Sequence, residues 1–276
     1  MAELTVSNSE SWVHQSTITG AGYRITLTMP LWPTPEPVPL LVILDGDTMI
    51  LTATETARQI TVSTLGSLGP VAMVGIMADE PMGLGYVAAR FRDFTPVAWK
   101  LHGPFEDDNA LASKGTGMAL EFVDMIIDEI IPQVRGRISI NDERIGICGW
   151  SLSGLCAAWA WRERSDVFAD LVAISPSLWW NDASMVSEPL PVRPVGHHAV
   201  ITAGEHEEGD LSRVWPQKFA NGPQRESAAM VRNALTFGAM AESARADTLC
   251  MVLPDEHHIT LAPASLARAL VHLYGE

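Results

Sequence analysis

The sequence has few basic residues and few cysteines, and each shortage excludes a class of protein. Against 33 Asp and Glu it carries 18 Lys and Arg, which gives a formal net charge of −15. This charge repels nucleic-acid phosphates and anionic lipid headgroups, so we expect neither nucleic acid nor a membrane as a partner. The three cysteines, Cys148, Cys156 and Cys250, form no CxxC pair. They are typical of reduced, buried thiols rather than of a disulfide framework.

Long apolar runs are also missing. A membrane-spanning helix needs about 20 apolar residues, whereas the longest candidate run, 38–44, has only the length of a strand. The N-terminus has neither a cationic nor an apolar segment, so we expect no export signal and a cytoplasmic location. No repeat or coiled-coil pattern points to an oligomer interface.

The sequence does contain a series of short, continuous apolar segments, each followed by a stretch of helical period. Continuous apolarity predicts strands that are covered on both faces, as in a mostly parallel sheet with helices on each side. A β-hairpin across Thr19-Gly20-Ala21-Gly22 is predicted before them. The segments lie at 11–18 and 23–29 for the hairpin, at 39–45, 71–77, 144–149, 170–175, 198–204 and 248–253 for the other strands, and at 48–65, 117–134, 152–164, 225–244 and 263–274 for the helices.

This alternation predicts one α/β domain over residues 1–276. Two stretches, 79–115 and 181–196, interrupt it. In α/β proteins such excursions lie over the C-terminal edge of the sheet, where ligands bind. Tolerated surface loops are the alternative.

The helix predicted over 117–134 is amphipathic. Its acidic side chains are expected to face solvent, and its apolar ones recur at helical spacing on the other side. The residues expected on this apolar face are Leu120, Val123, Ile127, Ile130 and Ile131.

The segment after the strand at 144–149 carries the chemistry. Here Gly149-Trp150-Ser151-Leu152-Ser153-Gly154 joins a predicted strand to a predicted helix, which is the setting of a nucleophile elbow. A serine at the apex adopts strained φ and ψ, so the positions two before and two after it must be small. Gly149 meets this need, and Ser153 stands where glycine is usual. A plain helix N-cap is the alternative interpretation of Ser151.

A serine nucleophile needs an acid and a general base later in the chain. An acidic turn at 205–210 follows one predicted strand, and Pro254-Asp255-Glu256-His257-His258 follows the last. A carboxylate of the first turn can orient a histidine of the second, which can then take the proton of Ser151. Solvated loop residues are the alternative for the other side chains of both turns.

A metal site is the competing interpretation of these polar residues, because imidazole and carboxylate suit zinc or manganese. No H-E-x-x-H or similar metal spacing is present, so we expect no metal and no organic cofactor. The residues that such a site would draw on are His197, His198, His206, Glu207, His257 and His258.

Longer segments resemble a known family, over about residues 20–274. The chain is similar to the esterase family of α/β-hydrolases that includes esterase D and the siderophore esterases. The resemblance implies the α/β-hydrolase fold. It lies in LLVILDGD at 40–47, RFRDFTP at 90–96, GTGMALEFVDMIIDEIIPQV, RIGICGWSLSGL and DVFADLVAISPSLWW within 115–180, ITAGEHE at 201–207 and DEHHITLAPASLARAL at 255–270.

The resemblance also implies roles for single residues. Ser151 matches the nucleophile, His258 the base and Glu207 the acid, with Glu205 as the alternative acid. The backbone amides of Leu152 and Asp47 match an oxyanion hole, which stabilises the developing negative oxygen. The residues expected to contact substrate are Asp45, Gly46, Trp150, Trp179, Trp180 and Arg92.

Ordinary packing and local ion pairs are the alternative roles for the predicted substrate contacts. Two adjacent tryptophans cannot share one face of a regular element, so at least one of Trp179 and Trp180 is expected to be ordinary packing. Arg92 stands next to Asp93 and can pair with it.

Together these features predict a serine carboxylic-ester hydrolase that acts through an acyl-enzyme on a small-molecule ester or lactone, either siderophore-like or an aryl ester. Two alternatives stay open. One is an acyltransferase that passes the same acyl group to an alcohol or sugar. The other is a binding protein on a degenerate hydrolase fold, which Ser153 motivates.

Overall fold

An eight-stranded sheet is the central feature of the computed structural model, which describes residues 6–64, 66–208 and 228–275. The strands are β1 (Ser9–Gln15), β2 (Gly22–Thr28), β3 (Val38–Leu44), β4 (Ala72–Ala78), β5 (Ile140–Trp150), β6 (Phe168–Ile174), β7 (His198–Gly204) and β8 (Asp247–Leu253). Their order in the sheet is β1-β2-β4-β3-β5-β6-β7-β8. The first two strands form an antiparallel hairpin, β2 is antiparallel to β4, and all pairings from β4 across to β8 are parallel.

Helices cover both faces of this sheet. The first and last helices, α1 and α8, enclose one apolar core, while α3, α4, α5 and α7 enclose the other. The inner strands β4 and β6 are buried along their whole length, as continuous apolarity predicts. The helices are α1 (Gly46–Ser63), α2 (Leu84–Asp93), α3 (Ala119–Met125), α4 (Ile131–Arg135), α5 (Leu152–Glu163), the short turn α6 (Trp180–Ala183), α7 (Met230–Ser243) and α8 (Leu261–Tyr274).

This architecture confirms the predicted fold class, a mostly parallel sheet with helices on both sides and an N-terminal hairpin. The helix predicted at 225–244 begins at Met230, and residues 225–227 lie outside the described part of the chain. In the described ranges no helix has the length and apolar character needed to cross a membrane.

The excursion at 79–115 contains a helix that the sequence pattern did not predict. α2 occupies Leu84–Asp93, and a 3-10 helix follows at Gly103–Ala110. The buried positions of α2 include two alanines, Ala88 and Ala89, so its apolar stripe is weak in the sequence. This helix supplies two side chains to the site described below.

One residue predicted for the core is exposed. Leu120 is 51% exposed, whereas Val123 and Ile131 are buried. The buried positions of α3 are Ala119, Phe122, Val123 and Met125, and Leu120 lies outside this face. A π-helical turn at Ile126–Ile130 follows, between α3 and α4.

Phe122 and Leu120 form a matched pair for testing the core. The buried ring of Phe122 lies 5.6 Å from that of Tyr23 and 5.4 Å from that of Phe94. We expect Phe122→Ala to lower the free energy of unfolding by about 3–5 kcal/mol, because it leaves a cavity. The exposed control, Leu120→Ala, should change it by about 0.5 kcal/mol or less. Urea denaturation measures both, and equal losses would contradict this assignment of the core.

Candidate active site

Ser151 lies at a sharp turn between β5 and α5. Its φ is 62° and its ψ −118°, a strained conformation for a residue with a side chain. A Cβ atom on Gly149 would lie 2.1 Å from the carbonyl oxygen of Ser153, so only glycine fits there. The amide of Ser151 donates to the carbonyl of Ile174 at 2.9 Å. The chain therefore has the geometry of a nucleophile elbow at the predicted serine.

Ser153 occupies the second small position of this turn without being exposed. Its hydroxyl accepts a hydrogen bond from the amide of Trp150 at 2.9 Å and donates one to Asp45 Oδ2 at 2.7 Å. The hydroxyl therefore links the elbow to the turn after β3 by hydrogen bonds that a glycine could not make.

His258 and Glu207 lie beside Ser151 at the C-terminal edge of the sheet. The Oγ atom of Ser151 is 2.9 Å from His258 Nε2, and His258 Nδ1 is 3.3 Å from Glu207 Oε2. Glu207 is 2% exposed, and its Oε1 accepts the amide of Gly204 at 3.0 Å. This arrangement allows a proton to pass from the serine to the imidazole while a buried carboxylate stabilises the imidazolium.

The neighbouring candidates face elsewhere. Glu205 is exposed, and its Oε2 accepts the amide of Asp255 at 3.0 Å. The ring of His257 accepts the amide of Ile259 at 3.2 Å through Nδ1. Ser151 thus has His258, and not His257, within hydrogen-bond distance.

Sequence reasoning missed Ser175, which follows β6. Its Oγ lies 2.9 Å from His258 Nδ1 and also forms a short hydrogen bond to Glu207 Oε2. The residue is fully buried and has a φ of 41°. Its position is the signal that could have identified it. Ser175 follows β6, which lies in the sheet between β5, which leads to Ser151, and β7, which leads to Glu207.

Asp45 is not available to a substrate, contrary to the sequence prediction. Its side chain is 1% exposed. It accepts hydrogen bonds from Arg90 Nε at 2.9 and 3.1 Å and from Arg90 Nη2 at 2.8 Å, and one from the hydroxyl of Tyr86. Burial and the charge of Asp45 both raise the pKa of Tyr86, so its phenol stays a proton donor. Burial acts to lower the pKa of Arg90, but contact with Asp45 outweighs it, and the net shift is upward. The carboxylate therefore joins α2 to the elbow through Ser153.

Two other predicted substrate contacts have ordinary structural partners. Arg92 donates to Asp93 through Nε at 2.6 Å and Nη2 at 2.8 Å, because the buried carboxylate needs a cation. Trp180 is 1% exposed and packs on Trp99, with ring centroids 5.1 Å apart. Trp179 is half-buried. We leave Arg92 and Trp180 out of the proposed substrate site.

Trp150 contacts the predicted base directly. Its indole N–H donates to the carbonyl oxygen of His258 at 2.9 Å, and the two rings lie 5.0 Å apart. The half-buried indole therefore helps to fix the backbone that carries the histidine.

The predicted oxyanion donors, Leu152 and Asp47, lie in the first turns of α5 and α1. Amides in a first helical turn have no acceptor within their own helix. A Cβ on Gly46 would lie 2.5 Å from the amide nitrogen of Ile76, so glycine lets α1 begin against β4. The side chain of Asp47 turns outward and pairs with Arg24 at 2.8 Å. The role of the two amides stays a prediction.

The six residues of the competing metal interpretation do not all lie at one end of the sheet. His198 begins β7 and contacts Asp170 at 2.7 Å, whereas Glu207 and His258 follow the ends of β7 and β8 at the opposite edge of the sheet. Within 6–64, 66–208 and 228–275, one group of three His and carboxylate side chains converges to within 4.8 Å. This group is Glu205, His206 and Asp255 at the surface.

The sheet order and the serine elbow together define an α/β-hydrolase. The chain belongs to the family described as "Putative esterase", whose family model matches residues 16–209.

Individual relatives extend this comparison. The siderophore triacetylfusarinine C esterase of Aspergillus fumigatus is 32% identical over 178 residues, which are 61% of this chain and 56% of that protein. The ferri-bacillibactin esterase BesA of Bacillus subtilis is 26% identical over 97% of this chain and 90% of its own. The crystal structure of the BES protein from Bacillus cereus superposes with a TM-score of 0.78 at 21% identity, over 100% of this chain and 98% of its own. The chain spans about half the length of two of the curated relatives that it matches.

The buried ion pair between Asp45 and Arg90 gives a test of this architecture. We expect Asp45→Asn to lower the free energy of unfolding by about 3–5 kcal/mol, because it leaves the guanidinium buried without a counter-charge. The control is Asp47→Asn, which removes an exposed partner of Arg24 and should cost about 1 kcal/mol or less. Urea denaturation compares the two variants, and a loss at Asp45 no larger than that at Asp47 would contradict the assignment.

Proposed function

We propose that the protein is a serine carboxylic-ester hydrolase that acts through an acyl-enzyme. The observation that carries this proposal is the 2.9 Å contact between Ser151 Oγ and His258 Nε2 at the strained elbow. A serine held in this way can transfer its proton to the imidazole as its oxygen attacks a carbonyl carbon. Membership of the esterase family supports the proposal.

In the proposed reaction, Ser151 Oγ bonds to the ester carbonyl carbon while His258 Nε2 takes the hydroxyl proton. The amides of Leu152 and Asp47 stabilise the oxyanion. The tetrahedral intermediate collapses, and the leaving alkoxide takes the proton from His258. Water then attacks the acyl-enzyme with His258 as base, which releases the carboxylic acid and restores Ser151. Glu207 stabilises the imidazolium in both halves.

The proposed substrate is a small-molecule ester or lactone of the siderophore type or with an aryl acyl group. The names of two relatives, esterases of triacetylfusarinine C and of ferri-bacillibactin, support the first class. Aromatic surface supports the second, because half-buried indoles suit a flat acyl group. Trp150 contacts His258, and Trp179 lies two residues after Ser177, whose Oγ is 3.4 Å from that of Ser151.

Every step of this reaction uses a side chain or a backbone amide, so we propose no metal and no organic cofactor. Cys148, close to the elbow in sequence, does not compete as a nucleophile, because burial raises the pKa of its thiol to about 12. We also propose a cytoplasmic location, which the free cysteines support.

Replacement of the nucleophile tests the proposal. We expect Ser151→Ala to lower kcat/KM for p-nitrophenyl butyrate by at least about a thousandfold, because no acyl-enzyme can form. The control is Ser187→Ala, an exposed serine in another turn, which should keep wild-type activity. Residual activity of Ser151→Ala above about one tenth of wild type would remove Ser151 from this role.

Product analysis separates hydrolysis from acyl transfer. With a low concentration of an acceptor alcohol in the assay, we expect the free acid as the main product, because water reaches the acyl-enzyme. Chromatography of the products over a panel of esters and lactones measures this and ranks the acyl groups. A dominant transesterified product would favour an acyltransferase.

A further inference from the structure

We propose that Ser175 is a positioning residue that links Glu207 to His258 through its hydroxyl. Its effect on rate rests on the function proposed above, whereas the hydrogen-bond chain itself does not. Three contacts join Ser175 Oγ, His258 Nδ1 and Glu207 Oε2 to one another.

The hydroxyl of Ser175 is nearer to His258 than the carboxylate is. Ser175 Oγ lies 2.9 Å from His258 Nδ1, against 3.3 Å for Glu207 Oε2. The same hydroxyl makes a short contact to Glu207 Oε2. A distance of 3.3 Å is at the long end for a charge-assisted hydrogen bond, and 2.9 Å is normal.

One placement of the hydrogen atoms is compatible with all these contacts. His258 Nε2 must be free to accept the proton of Ser151, so the neutral ring carries its hydrogen on Nδ1. This N–H donates to Ser175 Oγ. The hydroxyl hydrogen of Ser175 then donates to Glu207 Oε2, because an ionised carboxylate can only accept. The negative charge of Glu207 thus reaches the imidazole through a bridging hydroxyl as well as directly.

The backbone holds this hydroxyl in place. Ser175 is fully buried with a φ of 41°, and its amide donates to the carbonyl of Thr202 at 2.7 Å. Two residues later, the amide of Ser177 donates to the carbonyl of Ser151 at 2.9 Å. The segment is therefore fixed both to β7 and to the elbow. On the other side, the Glu207 carboxylate is fixed through Oε1 by the amide of Gly204.

A plain structural role predicts different behaviour. If the hydroxyl only satisfied a buried acceptor, its loss would cost stability but would leave the imidazole unchanged. If it transmits the charge of Glu207, its loss lowers the pKa of His258, because the carboxylate favours the protonated ring. Removing the hydroxyl should no longer lower the pKa of His258 once Glu207 has been replaced by a neutral residue.

The experiment compares Ser175→Ala, Ser175→Gly, Glu207→Gln and the double variant Ser175→Ala/Glu207→Gln. Glycine keeps the positive φ without strain, so it separates loss of the hydroxyl from a folding defect. The matched control is Ser265→Ala, which removes another fully buried hydroxyl, bonded to Thr202 Oγ1 at 2.8 Å. The other titratable side chains on the two turns are the same in all variants. They are Glu205, His206, Glu208, Asp255, Glu256 and His257.

Two readouts are used. NMR titration of the His258 ring gives its pKa without reference to any substrate. Ester hydrolysis gives kcat and KM. We expect both Ser175 variants to lower the pKa of His258 by on the order of half a unit or more. We expect kcat to fall by at least about tenfold with KM within about threefold of wild type.

The double variant decides the outcome. We expect the pKa of His258 in Ser175→Ala/Glu207→Gln to equal that in Glu207→Gln alone, since the two side chains act through one chain of hydrogen bonds. The proposal would be overturned if Ser175→Ala lowered the pKa of His258 equally in the wild-type and the Glu207→Gln backgrounds. It would also be overturned if Ser175→Ala and Ser175→Gly left this pKa at the wild-type value. If the wild-type protein hydrolysed no ester, the titration would still decide the role of Ser175, so failure of the function and failure of this inference are distinguishable.

Discussion

The close approach of β5 and α5 at the elbow is the constraint on which the site depends. The strand turns into the helix with the carbonyl of Ser153 in the space where a side chain of residue 149 would stand. This forces Ser151 into a positive φ and directs its hydroxyl out of the turn toward His258. Strain of this kind persists only where surrounding contacts fix it. Here they are the hydrogen bond to Ile174 and the buried pair of Ser153 and Asp45.

Parallel strand order explains why the polar residues meet. The strands β5, β6, β7 and β8 are neighbours in the sheet, and their C-terminal ends lie at one edge. Each is followed by one member of the hydrogen-bonded group, in the order Ser151, Ser175, Glu207 and His258. The turns after β7 and β8 are also in close contact, so Glu207 and His258 meet without a long loop. A Cβ on Gly204 would lie 2.6 Å from the carbonyl oxygen of Glu256.

The sequence predicts the fold well because burial on both faces of a strand leaves a continuous apolar run. It also predicts that the elbow serine, the acidic turn and the histidine pair lie near one another, because turns after parallel strands share an edge. The choice of Glu207 and His258 within those turns rests on the family resemblance. It does not predict which way a side chain points within a turn. Asp45 stands in such a turn but faces inward to Arg90. Arg90 lies on α2, a helix that the apolar periodicity does not predict because two of its buried residues are alanines. Ser175 was missed for a related reason, since its partners come from turns 32 and 83 residues later.

Covalent labelling tests the role of Ser151 most directly. A fluorophosphonate reacts with a serine whose hydroxyl is activated by a neighbouring base, and the site of the adduct can be mapped by mass spectrometry of a digest. For the folded wild-type protein we predict one adduct, on Ser151, and a much slower reaction in His258→Ala. An adduct on a different residue, or folded protein that takes up no label, would contradict the proposed nucleophile, and the second result would favour a binding protein.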